Sequence, residues 1–137
     1  MANLTHEPQR ELFRLPKRRQ SVARARTLVV AEVERWGLGQ LSDDLSLAVS
    51  ELVTNAVIHC RVSDAVIEVS IRWIGLTLQL EVADPEENRP VMREGDCFEM
   101  GGRGLHLVSA LADSWGVRDR VVGKVVWASF KTEVKQP

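Results

Sequence analysis

The sequence predicts an α+β domain, a two-layer sandwich in which helices cover one face of a mixed, mostly antiparallel sheet. Strand-like alternation of apolar and polar residues occurs in two hairpins, over 65–83 and 114–132. Apolar residues recur with helical spacing over 21–36, 41–60 and 105–112. Runs of strands with helices on one side of them are typical of the two-layer arrangement.

Size and charge exclude several classes of protein. The chain has 137 residues, 45% of them hydrophobic and 27% charged, which predicts one globular, soluble domain. Its net charge of −1 gives no basic surface for sequence-independent nucleic-acid binding, so we expect no direct nucleic-acid contact. No apolar run approaches the roughly 20 residues that a membrane span needs, and the N-terminus lacks a signal-peptide core. We therefore expect a cytoplasmic protein that does not contact a membrane.

Two cysteines argue against a zinc site, since Cys60 and Cys97 lack CxxC spacing and neighbouring histidine or cysteine ligands. Domain organisation is simple as well. Residues 1–9 are polar and predict a flexible N-terminus. Residues 10–133 are expected to form one folded domain.

The first half of the chain predicts one strand and two helices. A short strand is expected over 11–15, and the following helix over 21–36 is expected to end at Gly37. The next helix, over 41–60, has Ser42 as its predicted N-cap and two aspartates in its first turn.

The second half predicts two hairpins separated by a long irregular segment and one helix. The expected elements are strands 65–73 and 76–83, an irregular segment 85–103, helix 105–112, and strands 114–118 and 124–132. An irregular segment of this length inside a small domain is usually functional or disordered.

Three polar residues share one stripe of the helix predicted over 41–60. Glu51, Asn55 and His59 are spaced four residues apart, so their side chains lie on one face. An apolar stripe lies beside them: Leu45, Ala48, Leu52, Val53, Ala56 and Val57. A polar stripe that borders a buried one is typical of a helix that forms the wall of a polar pocket.

Each residue of the polar stripe has a functional and a structural interpretation. Asn55 offers a carbonyl oxygen of the kind that Mg²⁺ prefers, or it is a satisfied polar residue at the helix edge. Glu51 is a general base for a hydroxyl or water, or it is a solvated surface glutamate. His59 is a site residue, or it is a cation at the helix end or a buried polar residue.

Two further features lie downstream. Asp84 follows an apolar strand, where it can accept a hydrogen bond from the exocyclic amine of a purine or start a turn before Pro85. The glycine-rich turn over 101–104 precedes a helix, where free N–H groups can bind a phosphate, although such a turn is often only a turn. The turn lacks the Lys-Ser/Thr pair of a P-loop and the preceding strand of a Rossmann fingerprint.

Taken together, these motifs resemble a known family. The matching segments are Glu-Leu-Val-Thr-Asn-Ala-Val-Ile-His (51–59), Val-Ala-Asp-Pro (82–85), Gly-Arg-Gly-Leu-His-Leu-Val (102–108), Ala-Leu-Ala-Asp-Ser-Trp-Gly-Val (110–117) and Gly-Lys-Val-Val-Trp (123–127). They look like the bacterial anti-sigma-factor serine/threonine kinases, which belong to the histidine-kinase-like ATPase superfamily with the Bergerat nucleotide-binding fold. The resemblance covers residues 11–131 and implies that the domain expected over 10–133 is a histidine-kinase-like ATPase domain.

The resemblance implies ATP and Mg²⁺ as cofactors and assigns residue roles. Asn55 corresponds to the Mg²⁺ ligand, Glu51 to the catalytic base, and Asp84 to the residue that reads adenine. The segment 86–101 occupies the position of the ATP lid. The nucleotide's phosphates would contact the glycine motif and the residue after it: Gly102, Arg103, Gly104 and Leu105. By itself, Arg103 also fits a solvated arginine.

The implied function is that of a regulatory kinase. Such a protein would bind a sigma factor and phosphorylate an anti-anti-sigma partner on serine, and it would form a homodimer. The chain departs from the superfamily at Glu86, where a glycine is usual two residues after the aspartate. This departure motivates an alternative, a non-catalytic regulatory binding module of the same fold that binds ATP or no nucleotide.

Overall fold

The computed structural model describes residues 6–86 and 102–132, without the side chains of 102–104. The strands are β1 (Gln9–Pro16), β2 (Val66–Ile74), β3 (Thr77–Asp84), β4 (Ser114–Asp119) and β5 (Lys124–Lys131). The helices are α1 (Gln20–Arg35), α2 (Ser42–His59) and α3 (Gly102–Leu111), with a 3₁₀ turn at Gly39–Leu41.

The described strands form one sheet in the order β1-β2-β3-β5-β4. Every pairing among them is antiparallel, so the sheet is antiparallel rather than mixed in the part of the chain that the structure describes. The helices α1 and α2 pack against each other, and α2 also contacts α3 and β3. The predicted α+β architecture is confirmed.

The core lies between the sheet and the helices. Alternate residues of β2 and β3 point to one face, and residues three or four apart on α1 and α2 point back at them. Burial of each such side chain contributes about 1.5–3 kcal/mol. Fully buried members include Val29, Val33, Leu45, Val49, Val53, Ile67, Val69, Ile71, Leu78 and Leu80.

The start of α2 differs from its prediction. The 3₁₀ turn runs directly into the helix, and Ser42 itself has helical angles, with φ −58° and ψ −44°. A residue that caps a helix N-terminus through its side chain needs extended backbone angles. The prediction that Ser42 caps this helix is therefore wrong, and no described residue forms a hydrogen bond with its buried hydroxyl.

Two other elements begin earlier than predicted. The third helix starts at Gly102 rather than at 105, so the glycines form its first turn instead of a separate turn. Leu105 and Val108 are buried and anchor this turn to the core. β1 begins at Gln9 because its pairing with β2 continues to the register Gln9↔Trp73.

The sheet face away from the helices carries charged ladders. Glu68 accepts contacts from Arg14 and Arg120, each at 2.9 Å. Glu81 pairs with Arg72 at 2.9 Å and with Arg118 at 2.8 Å. Apart from Arg120, which follows the end of β4, these residues alternate with more buried residues along their strands, which is expected for a sheet with one covered face.

Candidate functional site

Asn55 is the most informative side chain of α2. It is 8% exposed, and neither its Oδ1 nor its Nδ2 has a hydrogen-bond partner among the residues that the structure describes. Leaving a buried polar group unpaired costs about 1–3 kcal/mol. Because no described residue bonds to the amide and offsets this cost, the geometry favours the ligand-binding interpretation of Asn55 over that of a satisfied edge residue.

The other two residues of the polar stripe are less enclosed. Glu51 lies one turn before Asn55 and is half-buried, while His59 at the end of α2 is exposed. The neighbouring apolar stripe faces the core as predicted, with Leu52, Val53 and Ala56 buried. The stripe thus runs from the wall of the core to the protein surface, with Asn55 as its buried member.

Asp84 ends β3 and is paired with a buried lysine. The register of the sheet places Asp84 opposite Lys124, the first residue of β5. Lys124 Nζ donates to Asp84 Oδ1 at 3.0 Å and to Oδ2 at 3.2 Å. The two residues are 4% and 5% exposed, so this is a buried ion pair.

Glu86, which stands where the superfamily has glycine, is bonded on several sides. Its backbone N–H donates to Asp84 Oδ1 at 2.8 Å, which is the turn-forming role expected of an aspartate before proline. Its backbone oxygen accepts from Lys124 Nζ at 3.2 Å. Its Oε1 accepts from the backbone N–H of Arg61 at 2.9 Å. Glu86 therefore ties the end of β3 to the segment after α2.

A carboxylate has about four acceptor positions. Lys124 and the Glu86 N–H use three positions on Asp84, two on Oδ1 and one on Oδ2. As far as the described residues are concerned, one acceptor position on Oδ2 is left for a further donor. Both interpretations of Asp84, turn former and acceptor for a ligand amine, are therefore compatible with its geometry.

Gly123 allows the Asp84–Lys124 pair to form. Its φ of +89° lies in the left-handed region that side chains disfavour. A Cβ at this position would lie 2.0 Å from the backbone oxygen of Asp84 and 2.5 Å from Pro85 Cα. The turn before β5 must therefore pass against the end of β3 with no side chain between them.

Sequence reasoning gave Gly123 and Lys124 no role in the site, although both lie in the Gly-Lys-Val-Val-Trp segment of the family resemblance and Gly123 was placed in a hairpin turn. A signal was present, because a lysine opens the otherwise apolar run Lys-Val-Val-Trp-Ala. A lysine that enters the core needs a carboxylate beside it. The printed sequence does not say which carboxylate that is, since the two residues are 40 positions apart.

The N-terminus of α3 supplies the backbone of the glycine motif. Its first N–H groups have no partner within the helix and lie at the positive end of the helix dipole. Leu105 is 2% exposed and packs in the core, so any ligand contact from this residue is a main-chain contact. The side chain of Arg103 and the remainder of the predicted lid, 87–101, lie outside the described residues.

Few of the described side chains could coordinate a metal ion together. No group of three or more His, Cys, Asp or Glu residues suited to a metal occurs in the described ranges. The hard oxygen of Asn55 fits Mg²⁺, which is commonly held by one or two protein ligands together with waters and substrate phosphates. Of the helices that the structure describes, none has the length and apolar character needed to cross a bilayer.

Comparison with known proteins shows which family the chain matches. A sequence model of the histidine kinase-like ATPase domain matches residues 15–130. A search of curated protein sequences finds no match to this chain.

Two solved structures share the fold. The RsbU and RsbW domains of Rv1364c from Mycobacterium tuberculosis align with a TM-score of 0.69 and 18% identity over 90% of this chain. The histidine kinase domain of the blue-light activated histidine kinase EL346 from Erythrobacter litoralis aligns with a TM-score of 0.53 and 21% identity over 69% of this chain. The chain spans 32% of the first structure's length and 46% of the second's.

Proposed function

This chain belongs to the histidine kinase-like ATPase domain family, and from that premise we propose that it binds Mg²⁺-ATP and acts as a regulatory kinase of the anti-sigma type. The observation that carries the proposal is the buried Asn55 carboxamide, which has no hydrogen-bond partner in the described part of the chain. Its oxygen suits Mg²⁺ and its N–H₂ remains free to donate. A bound ligand would give this amide the partners that the protein itself does not.

The remaining parts of the site are assigned around Asn55. Asp84 Oδ2 has one open acceptor position, which suits the exocyclic amine of adenine. The main-chain N–H groups of Gly102, Gly104 and Leu105, with the Arg103 guanidinium, are assigned to the phosphates. α2 packs against both β3, which ends at Asp84, and α3, which begins at the glycines, and this packing supports a single site.

Phosphoryl transfer requires mainly positioning and neutralisation of charge, which bound Mg²⁺ would supply. Glu51 lies one turn from Asn55 and is half-buried, and no hydrogen bond joins it to another described residue. We assign to Glu51 the role of accepting the proton of a partner's serine hydroxyl. The partner would be an anti-anti-sigma protein, a sigma factor would be the regulated target, and the active species would be a homodimer.

Labelled ATP tests the kinase activity. The full chain is incubated with Mg²⁺, labelled ATP and a panel of candidate anti-anti-sigma proteins, each with a matched variant in which the acceptor serine is alanine. We expect label on one partner and none on its alanine variant. If no partner in the panel is labelled although ATP binds, the kinase activity is excluded for that panel.

A second candidate function is a non-catalytic regulatory module of the same fold. It is favoured by the occupied carboxylate of Asp84, which carries Lys124 and the Glu86 N–H. Calorimetric titration with Mg²⁺-ADP, followed by partner pull-down with and without ATP, separates the two functions. Partner capture without phosphoryl transfer, whether nucleotide alters the capture or not, is the result that this alternative predicts.

A further inference from the structure

The Asp84 carboxylate, which is assigned to the adenine base of the nucleotide, is already paired within the protein. The Lys124 ammonium has three N–H groups and three acceptors, which are Asp84 Oδ1 at 3.0 Å, Asp84 Oδ2 at 3.2 Å and the Glu86 backbone oxygen at 3.2 Å. Both charged side chains are almost fully buried. The ammonium therefore has no further N–H for a ligand, and its charge compensates that of Asp84.

The Asp84–Lys124 ion pair affects how the site discriminates between the bases of different nucleotides. A buried acceptor rejects the wrong ligand chiefly because that ligand leaves the acceptor unpaired, which costs free energy. At Asp84 this penalty is small with any base, since Lys124 remains bonded to the carboxylate. A base that presents a carbonyl oxygen instead of an amine also meets a compensated charge rather than a lone carboxylate.

We propose that Lys124 is a specificity-determining residue that makes the nucleotide site tolerant of the purine base. This inference rests on the proposed function, because it concerns the base of the nucleotide bound there. Lys124 acts through Asp84 and does not itself contact the base. Purine nucleotides with a carbonyl in place of the exocyclic amine bind nearly as well as ATP.

The test compares Mg²⁺-ATP with Mg²⁺-ITP, which differ in that the amine of adenine is a carbonyl in hypoxanthine. Affinities are measured by titration calorimetry for the full wild-type chain, Lys124→Met and Lys131→Met. Methionine keeps the length of the lysine stem and removes the charge. Lys131 ends the same strand and is exposed, so Lys131→Met is the matched control.

The wild type and Lys131→Met are expected to prefer ATP over ITP by less than about 10-fold, since the carboxylate is paired in either complex. In Lys124→Met the preference is expected to rise to about 100-fold or more, because ITP then leaves Asp84 Oδ2 without a donor and its charge uncompensated beside a carbonyl oxygen, while only the Glu86 N–H still contacts Oδ1. A change in overall affinity or in ligand-free stability alone reports only a structural role for Lys124. A merely structural role of Lys124 would leave the ratio of the ATP and ITP affinities unchanged.

A wild-type preference above 10-fold, or an unchanged ratio in Lys124→Met, overturns the inference and leaves the proposed function in place. If Lys124→Met does not fold, the wild-type ratio decides alone. If the wild type binds neither nucleotide, the proposed function fails first and this inference fails with it.

Discussion

Asn55 lowers the stability of the fold, and the proposed nucleotide binding would explain its presence. Its amide is buried, without a hydrogen-bond partner in residues 6–86 and 102–132 as described, on an otherwise well-packed helix, where asparagine also carries a propensity cost. Residues held at a cost in stability are a common feature of functional sites, where stability and activity oppose each other. A substitution at Asn55 can therefore separate an effect on ligand binding from an effect on the stability of the fold.

Asn55→Ala is expected to leave the ligand-free protein about as stable as the wild type, or more stable by up to about 1 kcal/mol. Loss of an unpaired buried amide offsets the small cavity that the substitution leaves. Urea unfolding without nucleotide measures this change. Leu52→Ala on the same helix is the control and should cost about 2–5 kcal/mol. Comparable losses in the two variants would mean that Asn55 is an ordinary packed residue.

Glu51→Gln is expected to keep nucleotide affinity and to lower the rate of phosphoryl transfer by about 10²–10⁴-fold, since glutamine has the shape of glutamate but accepts no proton. Single-turnover transfer to the labelled partner measures the rate, and calorimetry checks binding. Transfer at the wild-type rate would remove the assignment of Glu51 as the base.

At the scale of elements, the turn between β4 and β5 organises the site. Gly123 passes against the backbone of Asp84 and Pro85, and this approach positions Lys124 on the carboxylate. Glu86 then links the end of β3 to Arg61 after α2. The end of the sheet is thus held by contacts between three segments that are distant in sequence.

Gly123→Ala is expected to destabilise the fold by more than about 3 kcal/mol, because left-handed backbone costs alanine about 1–2 kcal/mol and the clash with the backbone of Asp84 adds to it. Gly37→Ala is the matched control, since Gly37 has φ +82° and no atom within 4 Å of an added Cβ. Denaturant midpoints of the two variants give the comparison. Equal losses would mean that strain alone, and no close approach, explains Gly123.

Most of the fold was predicted from the periodicity of apolar residues. The features that this prediction missed depend on details that the pattern does not fix, chiefly pairing between residues distant in sequence. Helical spacing located α1 and α2 within one or two residues of their observed ends, and alternation located β2 and β3 equally well. The 3₁₀ turn before Ser42 was missed because a serine before two aspartates fits an N-cap as well as a first helical residue. The Asp84–Lys124 pair depends on sheet register, which local pattern does not contain.

At the scale of the whole molecule, one sheet face builds the core and the other carries charge. Burial alone would raise the pKa of Glu81, but hydrogen bonds from Arg118 and Gln79 and the charges of Arg118 and Arg72 outweigh it and hold that pKa below its ordinary value. Burial alone would also raise the pKa of Glu68, but the hydrogen bonds and charges of Arg14 and Arg120 outweigh it, so this pKa is also lowered. Both carboxylates therefore favour folding in their ionised form.

A lowered pKa in the folded state contributes stability that is present above the unfolded pKa of about 4.3 and is lost as pH falls through the folded value. The wild type is thus expected to lose stability below about pH 5 more steeply than Glu81→Gln, which lacks this titration. Urea unfolding from pH 7 to pH 3 measures the slopes. Glu34→Gln, an exposed position outside the ladders, is the control and should follow the wild type. Parallel curves for the wild type and Glu81→Gln would contradict the effect.

The account depends most on Mg²⁺-nucleotide binding at Asn55. Calorimetric titration of Mg²⁺-ADP into the wild type and into folded Asn55→Ala tests this directly. The account predicts saturable binding to the wild type and at least about a 100-fold loss of affinity in the variant, the size expected when a charge-bearing buried contact is removed. No binding to the wild type, or equal affinity in both proteins, would contradict it.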